Sequence, residues 1–265
     1  GWIVSNTSND KPDAGYKNNL ASMGINTTFE QYKDVYLSTA VNLNYDDLEV
    51  DSTASDSLKK QAGTFTDLAF DYAVRLDTRD RAYMPTSGSI ISFGQTLPVY
   101  ADSPYLRNRF TSSKYSAFGE DIVGSFKFFM ASIHGLQGED VRLSKRAKLP
   151  STRLRGFKPN KIGPKDGTDY VGGNYAAAIN IETNLPNLFP ESTKTDVGLF
   201  LDVGNLWGVD YDSTIDDSNK IRSSVGINTS WLSPIGPMSF VLSQDLSKAD
   251  SDQTQSFTFN LGTSF

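Results

Sequence analysis

Residues 66–76 read TDLAFDYAVRL, and this stretch decides the fold. Its apolar side chains stand at every second position: Leu68, Phe70, Tyr72, Val74 and Leu76. The positions between them hold small or charged residues. Because successive side chains of a β-strand point to opposite faces of the sheet, a period of two predicts a strand with one apolar face.

The same period recurs in twelve segments of the chain. They are centred near Ile3, Ile25, Val41, Phe70, Phe93, Tyr115, Phe128, Ile179, Leu199, Ile227, Phe240 and Phe259. No sustained apolar stripe with helical spacing accompanies them. The connections alternate between short turns rich in Pro and Gly and long polar stretches such as 46–63. This arrangement predicts an all-β fold, an up-and-down antiparallel β-barrel.

The second face of these strands separates a membrane barrel from a soluble one. It carries many Gly, Ser and Asn residues together with charged ones: Asp67, Asp71, Arg75, Glu182 and Asp202. Such a face suits a hydrated lumen and leaves the apolar face for lipid. A closed barrel also satisfies every backbone polar group, as lipid requires. We therefore predict a transmembrane barrel, with a large soluble β-sandwich as the alternative.

The composition excludes several classes of function. The 265 residues include no cysteine and one histidine, His134, so disulfides, Cys-ligated metals and multi-histidine metal sites cannot form. The net charge of −6 argues against a nucleic-acid binder. No apolar run approaches the length of a membrane helix, and residues 1–10 show no signal peptide.

Enzymatic and metal-dependent functions have weak support in the sequence. His134 with an Asp could activate water in a membrane protease, but a single His in a strand is more often a packing or interface residue. An acidic cluster could bind Ca²⁺ but lacks EF-hand spacing. Its members are Asp210, Asp212, Asp216 and Asp217. We expect no catalytic residue, no metal and no cofactor.

The connection 137–173 is 37 residues long, whereas loops usually have about 4 to 6. As a mobile surface loop it would leave Arg155 without an ordered partner. Folded back into the lumen, it would let the Arg155 guanidinium form paired hydrogen bonds with inward carboxylates. Glu182 and Asp202 are the candidates, because both lie on the polar faces of consecutive strands.

The loop also carries the residues of a family resemblance. Leu154, Arg155, Gly156 and Phe157 resemble the [VL]RG[FY] motif of the BamA family, the insertases that assemble outer-membrane proteins. Other stretches follow in family order: 77–89 (DTRDRAYMPTSGS), 162–164 (IGP), 172–174 (GGN), 180–182 (NIE), 200–207 (FLDVGNLW) and 231–237 (WLSPIGP). The resemblance covers nearly the whole chain, and Leu154 stands where many members have Val.

This resemblance implies a barrel of sixteen strands, preceded by periplasmic POTRA domains. Residues 1–265 would then be the C-terminal part of the barrel, about twelve strands, without the POTRA domains and the first strands. It also implies an integral location in the outer membrane of a Gram-negative bacterium. The implied partners are lipid, unfolded outer-membrane clients and accessory assembly lipoproteins, and not nucleic acid. In the family, the motif arginine contacts acidic residues of the following strands, here Glu182 and Asp202.

The last segment, 256–265, decides the predicted mechanism. The family's first and last strands meet at a weak seam, and a short last strand would leave an edge to which a client strand can add. The residues of this seam strand and C-terminal sorting signal are Phe257, Phe259, Leu261, Gly262 and Phe265. We predict an assembly insertase and not an enzyme. A two-partner-secretion-type translocation pore and a passive porin are the alternatives.

Overall fold

The computed structural model of the chain describes residues 1–82, 84–119, 122–185, 188–190, 193–217, 219–233 and 236–261. Gly262 and Phe265, two residues of the predicted seam strand and sorting signal, lie outside these ranges. So do Pro234 and Ile235 of the 231–237 stretch (WLSPIGP).

Twelve antiparallel strands form one sheet, and each pairs with its neighbours along the chain. They are β1 (Trp2–Lys11), β2 (Tyr16–Tyr32), β3 (Val35–Val50), β4 (Gly63–Asp77), β5 (Gly88–Ala101), β6 (Tyr105–Ala117), β7 (Val123–Gly135), β10 (Tyr175–Asn184), β11 (Thr195–Trp207), β12 (Arg222–Ser233), β13 (Gly236–Ser247) and β14 (Phe257–Leu261). A small hairpin, β8 (Lys165–Asp166) with β9 (Asp169–Tyr170), lies between β7 and β10. Each of the twelve predicted centres falls in a strand of the main sheet, so the predicted up-and-down arrangement is confirmed.

Helix is a minor component of the described residues. It consists of α1 (Asp56–Lys59) and two 3₁₀ turns, Pro12–Ala14 and Leu143–Lys145. The Ser55 side chain begins α1 by accepting a hydrogen bond of 3.1 Å from the backbone N–H of Leu58. Within the described ranges, every helix is too short and too polar to span a bilayer.

The connections fall on two rims of the sheet. At the short-turn rim β2 connects to β3, β4 to β5, β6 to β7, β10 to β11, and β12 to β13. The long-loop rim contains residues 12–15, 51–62, 102–104, 136–174, 208–221 and 248–256. The predicted loop 46–63 begins too early, since β3 extends to Val50. Its polar residue Asp46 is 1% exposed, facing the inside of the curved sheet, where Asn18 and Ser144 donate hydrogen bonds to its carboxylate.

The two faces of the sheet differ as predicted for a membrane barrel. On the outer face, apolar side chains such as Met23, Ile25 and Val74 are exposed. On the inner face, Asp67 and Asp202 are buried. The inner charges are covered by polypeptide from the long-loop rim, while the outer apolar side chains form the surface that would contact lipid.

Strand β7 and His134 had no predicted orientation, and the structure supplies one. Phe126 and Met130 are exposed on the outer face, whereas Phe129 and Ile133 are buried on the inner face. His134 is exposed near the long-loop rim and packs edge-on against Tyr175, with ring centroids 5.4 Å apart. Tyr175 in turn stacks on Trp207. This aromatic group is typical of residues at a membrane interface.

The hydrophobic core lies inside the curved sheet, between the wall and the connection 136–174, which we call the luminal loop. Loop residues Val141, Leu149, Leu154, Phe157 and Ile162 pack with wall residues Phe129, Ile133, Ala176, Ala178 and Leu206. A second cluster joins the loop to the long-loop rim: Ala14, Tyr16, Leu48, Ala54, Leu58, Leu143 and Val171. The small side chains of Ala176 and Ala178 let the loop approach the wall closely.

Candidate functional site in the lumen

The luminal loop is a basic segment inside an acidic wall. Between residues 137 and 173 the sequence has nine Lys or Arg and four Asp or Glu, a net charge of +5 in a chain whose net charge is −6. Opposite charges in a partly desolvated space attract more strongly than in water. The loop therefore has an electrostatic reason, as well as an apolar one, to lie in the lumen.

Arg155 forms the most complete contact between loop and wall. Its Nε and Nη2 atoms donate to the two carboxylate oxygens of Asp202 over 2.8 and 2.7 Å. Its backbone N–H donates to the same carboxylate over 2.9 Å, and Nη1 lies 3.5 Å from Oε2 of Glu182. The guanidinium carbon is 3.6 Å from the ring centroid of Phe200. The structure thus brings together Arg155, Glu182 and Asp202.

Three more inward side chains complete this cluster. Asn180 donates from Nδ2 to Asp202 over 2.8 Å, and Asn228 donates to Glu182 over 2.6 Å. Lys127 lies 3.5 Å from Glu182. Burial alone would lower the pKa of Arg155, but its hydrogen bonds to Asp202 and the charges of Asp202 and Glu182 more than offset this and raise the pKa. The guanidinium is therefore charged at every physiological pH.

The residues that flank Arg155 in the chain pack closely between the luminal loop and the wall. Gly156 has φ +89°, and an added Cβ would lie 3.1 Å from Cβ of Ser224. The Ser224 hydroxyl donates to the backbone carbonyl of Arg155. Leu154 and Phe157 are 1% and 4% exposed in the core between loop and wall. Each residue of the 154–157 motif therefore has a physical reason for its identity.

Further ion pairs hold the loop at its other positions. Arg142 and Lys145 each lie 3.2 Å from the Asp67 carboxylate. Arg146 pairs with Asp210, and Lys161 pairs with Asp13. None of these pairs was predicted, although the inward position of Asp67 was. Their partners lie 64 to 148 residues apart in the chain and share no local pattern.

Two residues of the acidic cluster considered for Ca²⁺, Asp210 and Asp212, are engaged by other groups of the protein. Asp210 pairs with Arg146, and it also accepts hydrogen bonds from Asn174 and the backbone of Val141. Asp212 accepts hydrogen bonds from Thr214 and Ser57. Among the described residues, no group of three or more potential ligands could hold a metal ion.

The luminal loop also pairs with the segment that leads into β14. The N–H of Gln255 donates to the carbonyl of Gly156, and the N–H of Lys158 donates to the carbonyl of Gln253, both over 2.9 Å. The N–H of Gln253 donates to the carbonyl of Lys161 over 3.0 Å. Phe157 and Thr254 form the bridge between them. Residues 156–161 of the luminal loop thus act as a short β-partner for residues 253–255.

Strand β14 is the last strand of the described part of the chain. It pairs with β13 through five positions, from Leu242 opposite Phe257 to Met238 opposite Leu261. The side chains of Phe257, Phe259 and Leu261 are half exposed on the outer face. In the described part of the sheet, β14 and β1 are the two edges.

A sheet with an apolar outer face, and a lumen filled by a long loop, define a membrane β-barrel of the outer-membrane type. The chain matches the Omp85 superfamily domain over residues 2–265 and therefore belongs to that superfamily. It is 28% identical over 263 residues to the outer membrane protein assembly factor BamA of Neorickettsia risticii, covering 97% of this chain and 35% of that protein.

Solved structures show the same fold. The crystal structure of BamA from Haemophilus ducreyi lacking POTRA domains 1–3 matches 97% of this chain and 56% of that chain, with a TM-score of 0.85 and 21% identity. CdiB from Acinetobacter baumannii matches with a TM-score of 0.59 and 12% identity, covering 93% of this chain and 42% of that chain. The fold is therefore nearer to the BamA barrel. The chain spans about a third of the length of its curated BamA relative.

Proposed function

We propose that this chain is the membrane-embedded part of an outer-membrane protein that assembles other β-barrels. The supporting sequence relatives are named outer membrane protein assembly factors, and the solved BamA structure from Haemophilus ducreyi has the same fold. The proposal places the chain in the outer membrane of a Gram-negative bacterium as an integral protein, in contact with lipid on its apolar outer face.

The observation that carries the proposal is the link between the luminal loop and β14. Arg155 fixes the loop to Asp202, and the next residues of the loop hydrogen-bond residues 253–255. The start of β14, an edge strand of the described sheet, is thereby held in place. A held start gives a strand whose free edge can accept a partner without the strand losing its position.

Such an edge offers a template for client strands. The unpaired N–H and C=O groups of an edge strand can bind an extended segment by β-augmentation, with main-chain hydrogen bonds supplying affinity for many sequences. In lipid these bonds are especially favourable, since no water competes for the backbone groups. This mechanism makes and breaks no covalent bond and uses no cofactor.

The domain organisation is part of the proposal. Residues 1–265 are taken as the C-terminal part of a larger barrel domain that POTRA domains precede, the arrangement that the family resemblance implies. Unfolded outer-membrane proteins are the proposed clients. Accessory assembly lipoproteins are proposed to bind through the POTRA domains.

The filled lumen favours assembly over a passive porin. Four sets of ion pairs, centred on Asp67, Asp210, Asp13 and Asp202, tie the luminal loop to the wall and to the long-loop rim. A porin needs an open aqueous path, which a packed and charged loop obstructs. A two-partner-secretion-type translocation pore remains the second candidate, since CdiB shares the fold.

A complementation experiment tests the proposal. The full-length protein that contains this chain is expressed while the host's own insertase is depleted, and the folded porin in the outer membrane is quantified. We expect porin assembly to recover, and to be lost again with Arg155→Ala. Normal insertion of the test protein without any recovery of porin would contradict the proposal, and single-channel conductance would then identify a pore.

A further inference from the structure

The outer face of the sheet carries a row of polar and amphipathic side chains among the apolar ones that face lipid. The row follows directly opposed positions of neighbouring strands: Thr39, Tyr72, Gln95, Asn108, Ser132, Tyr175 and Trp207. Val74, Phe93 and Met130 lie two positions from members of the row and are exposed, so the row lies on the outer face. The assembly mechanism described above makes no use of it.

Side-chain hydrogen bonds connect the centre of this row, which we call the outer polar row. The Tyr72 hydroxyl donates to Oε1 of Gln95 over 2.6 Å, and Nε2 of Gln95 donates to Oδ1 of Asn108 over 2.5 Å. Nδ2 of Asn108 donates to the Ser132 hydroxyl over 3.2 Å. Among the described residues each of these two nitrogens donates one hydrogen bond, although an amide NH₂ has two N–H groups. The remaining N–H groups face a membrane whose acyl chains offer no acceptor.

The outer polar row crosses the sheet obliquely with respect to the two rims. Thr39 lies in the part of β3 nearest the short-turn rim, and Gln95 lies in the middle of β5. Tyr175 and Trp207 are the terminal residues of β10 and β11 at the long-loop rim. Because the strands of a membrane barrel are tilted by about 35–45°, a row perpendicular to them climbs through the bilayer. The row therefore joins the middle of the apolar band to the membrane surface at the long-loop rim.

Strand β6 extends this polar surface to the opposite rim. Its outward side chains are Leu106, Asn108, Phe110, Ser112, Lys114 and Ser116. Lys114 is exposed and lies opposite Phe126, an exposed residue of the outer face. Between Asn108 and the short-turn rim, Phe110 is the one apolar member of this series in β6, which is described throughout. A polar path, which we call the outer polar track, thus connects the two rims through Ser116, Lys114, Ser112, Asn108, Ser132 and His134.

The charge of this surface favours an anionic group as its occupant. Lys114 is the one Lys, Arg, Asp or Glu on the outer faces of β4 to β7, all of whose residues are described. A second copy of the chain packed against this face would bring a second Lys114 and no carboxylate. A phosphodiester headgroup supplies the negative charge, and its oxygens accept hydrogen bonds from ammonium, hydroxyl and amide donors.

We propose that the outer polar track carries phospholipid headgroups between the two leaflets of the membrane. Lys114 binds the phosphate near the short-turn rim. The hydroxyls of Ser112 and Ser116 and the free amide N–H groups of Asn108 and Gln95 replace water around the moving headgroup, while the acyl chains stay in lipid. The surrounding hydrocarbon, about 30 Å thick, offers the headgroup no such partners, and an unpaired charge in it is very unfavourable. The inference rests on the outer-membrane location and not on the assembly function.

The experiment measures lipid transfer by the full-length protein in large unilamellar vesicles of phosphatidylcholine and phosphatidylglycerol. The probe is phosphatidylcholine with a fluorescent short acyl chain, present in both leaflets. Albumin added outside extracts the probe from the outer leaflet only, and as a folded protein it cannot enter through the barrel lumen. Extraction of the inner-leaflet probe therefore reports transfer between leaflets. We expect this extraction to be at least tenfold faster with the protein than in protein-free vesicles.

Two opposite changes on β6 test whether the track is the path. Asn108→Leu with Ser112→Leu makes the outer face of β6 apolar and should reduce the transfer rate at least fivefold. Phe110→Ser fills the one apolar gap and should raise the rate at least twofold, a gain that misfolding cannot produce. Phe110→Leu is the control for the gain. Thr229→Leu is the control for the loss, because Thr229 lies on the outer face of β12 beside exposed Ile227 and outside the track.

The proposal has outcomes that would overturn it. These are transfer no faster than in protein-free vesicles, or a rate that neither the double leucine variant nor Phe110→Ser changes. A second copy as the true occupant would appear as a dimer that the double leucine variant separates without any change in the transfer rate. If porin assembly fails in the complementation experiment while lipid transfer persists, the proposed function fails and the track stands. Normal porin assembly without lipid transfer would overturn the track alone.

Discussion

Arg155 and Asp202 are joined by three hydrogen bonds, two from the guanidinium and one from the backbone N–H of Arg155. Asp202 is fully buried, and the Arg155 side chain is 13% exposed. A carboxylate in that position would be costly without its partner. The pair therefore fixes the position of the luminal loop and supplies the counter-charge for the buried Asp202 carboxylate in the wall.

Replacing Arg155 should destabilise the barrel. Arg155→Ala removes one partner of a buried ion pair, for which about 3 to 5 kcal/mol is typical. Arg155→Lys keeps the charge but not the two-pronged contact, so we expect an intermediate loss. The measurement is the temperature at which the folded barrel unfolds in detergent. Lys158→Ala, an exposed neighbour in the same loop, is the control, and an equal effect of both alanine variants would contradict the account.

Gly156 should tolerate substitution less well than Gly167 in the same loop. Both residues have positive φ, +89° and +58°, so alanine costs backbone strain of about 1 to 2 kcal/mol at either position. An added Cβ at Gly156 meets Ser224 and Ser243, whereas one at Gly167 meets nothing within 4 Å. We expect Gly156→Ala to lower the unfolding temperature more than Gly167→Ala. Equal shifts would mean that the close approach to Ser224 is unimportant.

The turn 78–87 should lose its order in acid. The Thr86 hydroxyl and the N–H groups of Thr86 and Ser87 donate to Asp80, and they lower the pKa of its carboxyl to about 2. A carboxyl in an unfolded chain has a pKa of about 3.9. Because the folded value is the lower one, the stabilisation is complete above the unfolded value and is lost as the pH falls through the folded value.

Amide hydrogen exchange at Thr86 and Ser87 measures this loss. We expect protection relative to an unfolded peptide to be full at about pH 5 and to fall between about pH 4 and pH 2. Asp80→Asn should reduce protection and remove its pH dependence in this window. Protection that is the same at both ends of the window would show that the ionised carboxylate does not order the turn.

The strands were predictable because their pattern is local. The alternation in 66–76 and its counterparts located all twelve strands of the main sheet, and the same parity selected Glu182 and Asp202 as inward carboxylates. The ends of β3 were less predictable. Asp46 and its neighbours have the composition of a surface loop, and an aqueous loop and a hydrated lumen favour the same residue types.

The contacts of the luminal loop could be predicted only in part. A motif and a parity argument identified Arg155, but the pairing of residues 156–161 with 253–255 joins segments about 95 positions apart and uses backbone atoms. Side-chain types do not encode such a contact. Asn180 and Asn228 could have been found, since each lies on the inward parity of its strand near Glu182 or Asp202. Lys127 could not, because the alternation in β7 is broken and assigns no face to it.

The central claim is that Arg155 acts by holding the segment before β14, and a disulfide rescue tests it most directly. Lys158 and Gln253 face each other with side-chain atoms 3.3 Å apart, and the chain has no cysteine of its own. A disulfide between Lys158→Cys and Gln253→Cys would link the luminal loop covalently to the segment before β14, in place of the contact that Arg155 maintains. The control pair, Thr28→Cys with Ser38→Cys, joins β2 to β3 at directly opposite positions whose hydroxyl oxygens lie 2.8 Å apart.

The measured quantity is the amount of folded porin in the outer membrane. The cells are depleted of their own insertase and express the full-length protein with Arg155→Ala. The account predicts that the oxidised 158–253 pair restores porin assembly, that reduction removes the recovery, and that the 28–38 pair has no effect. An Arg155→Ala protein that assembles porin normally, or one that the 158–253 disulfide fails to restore, would contradict the claim.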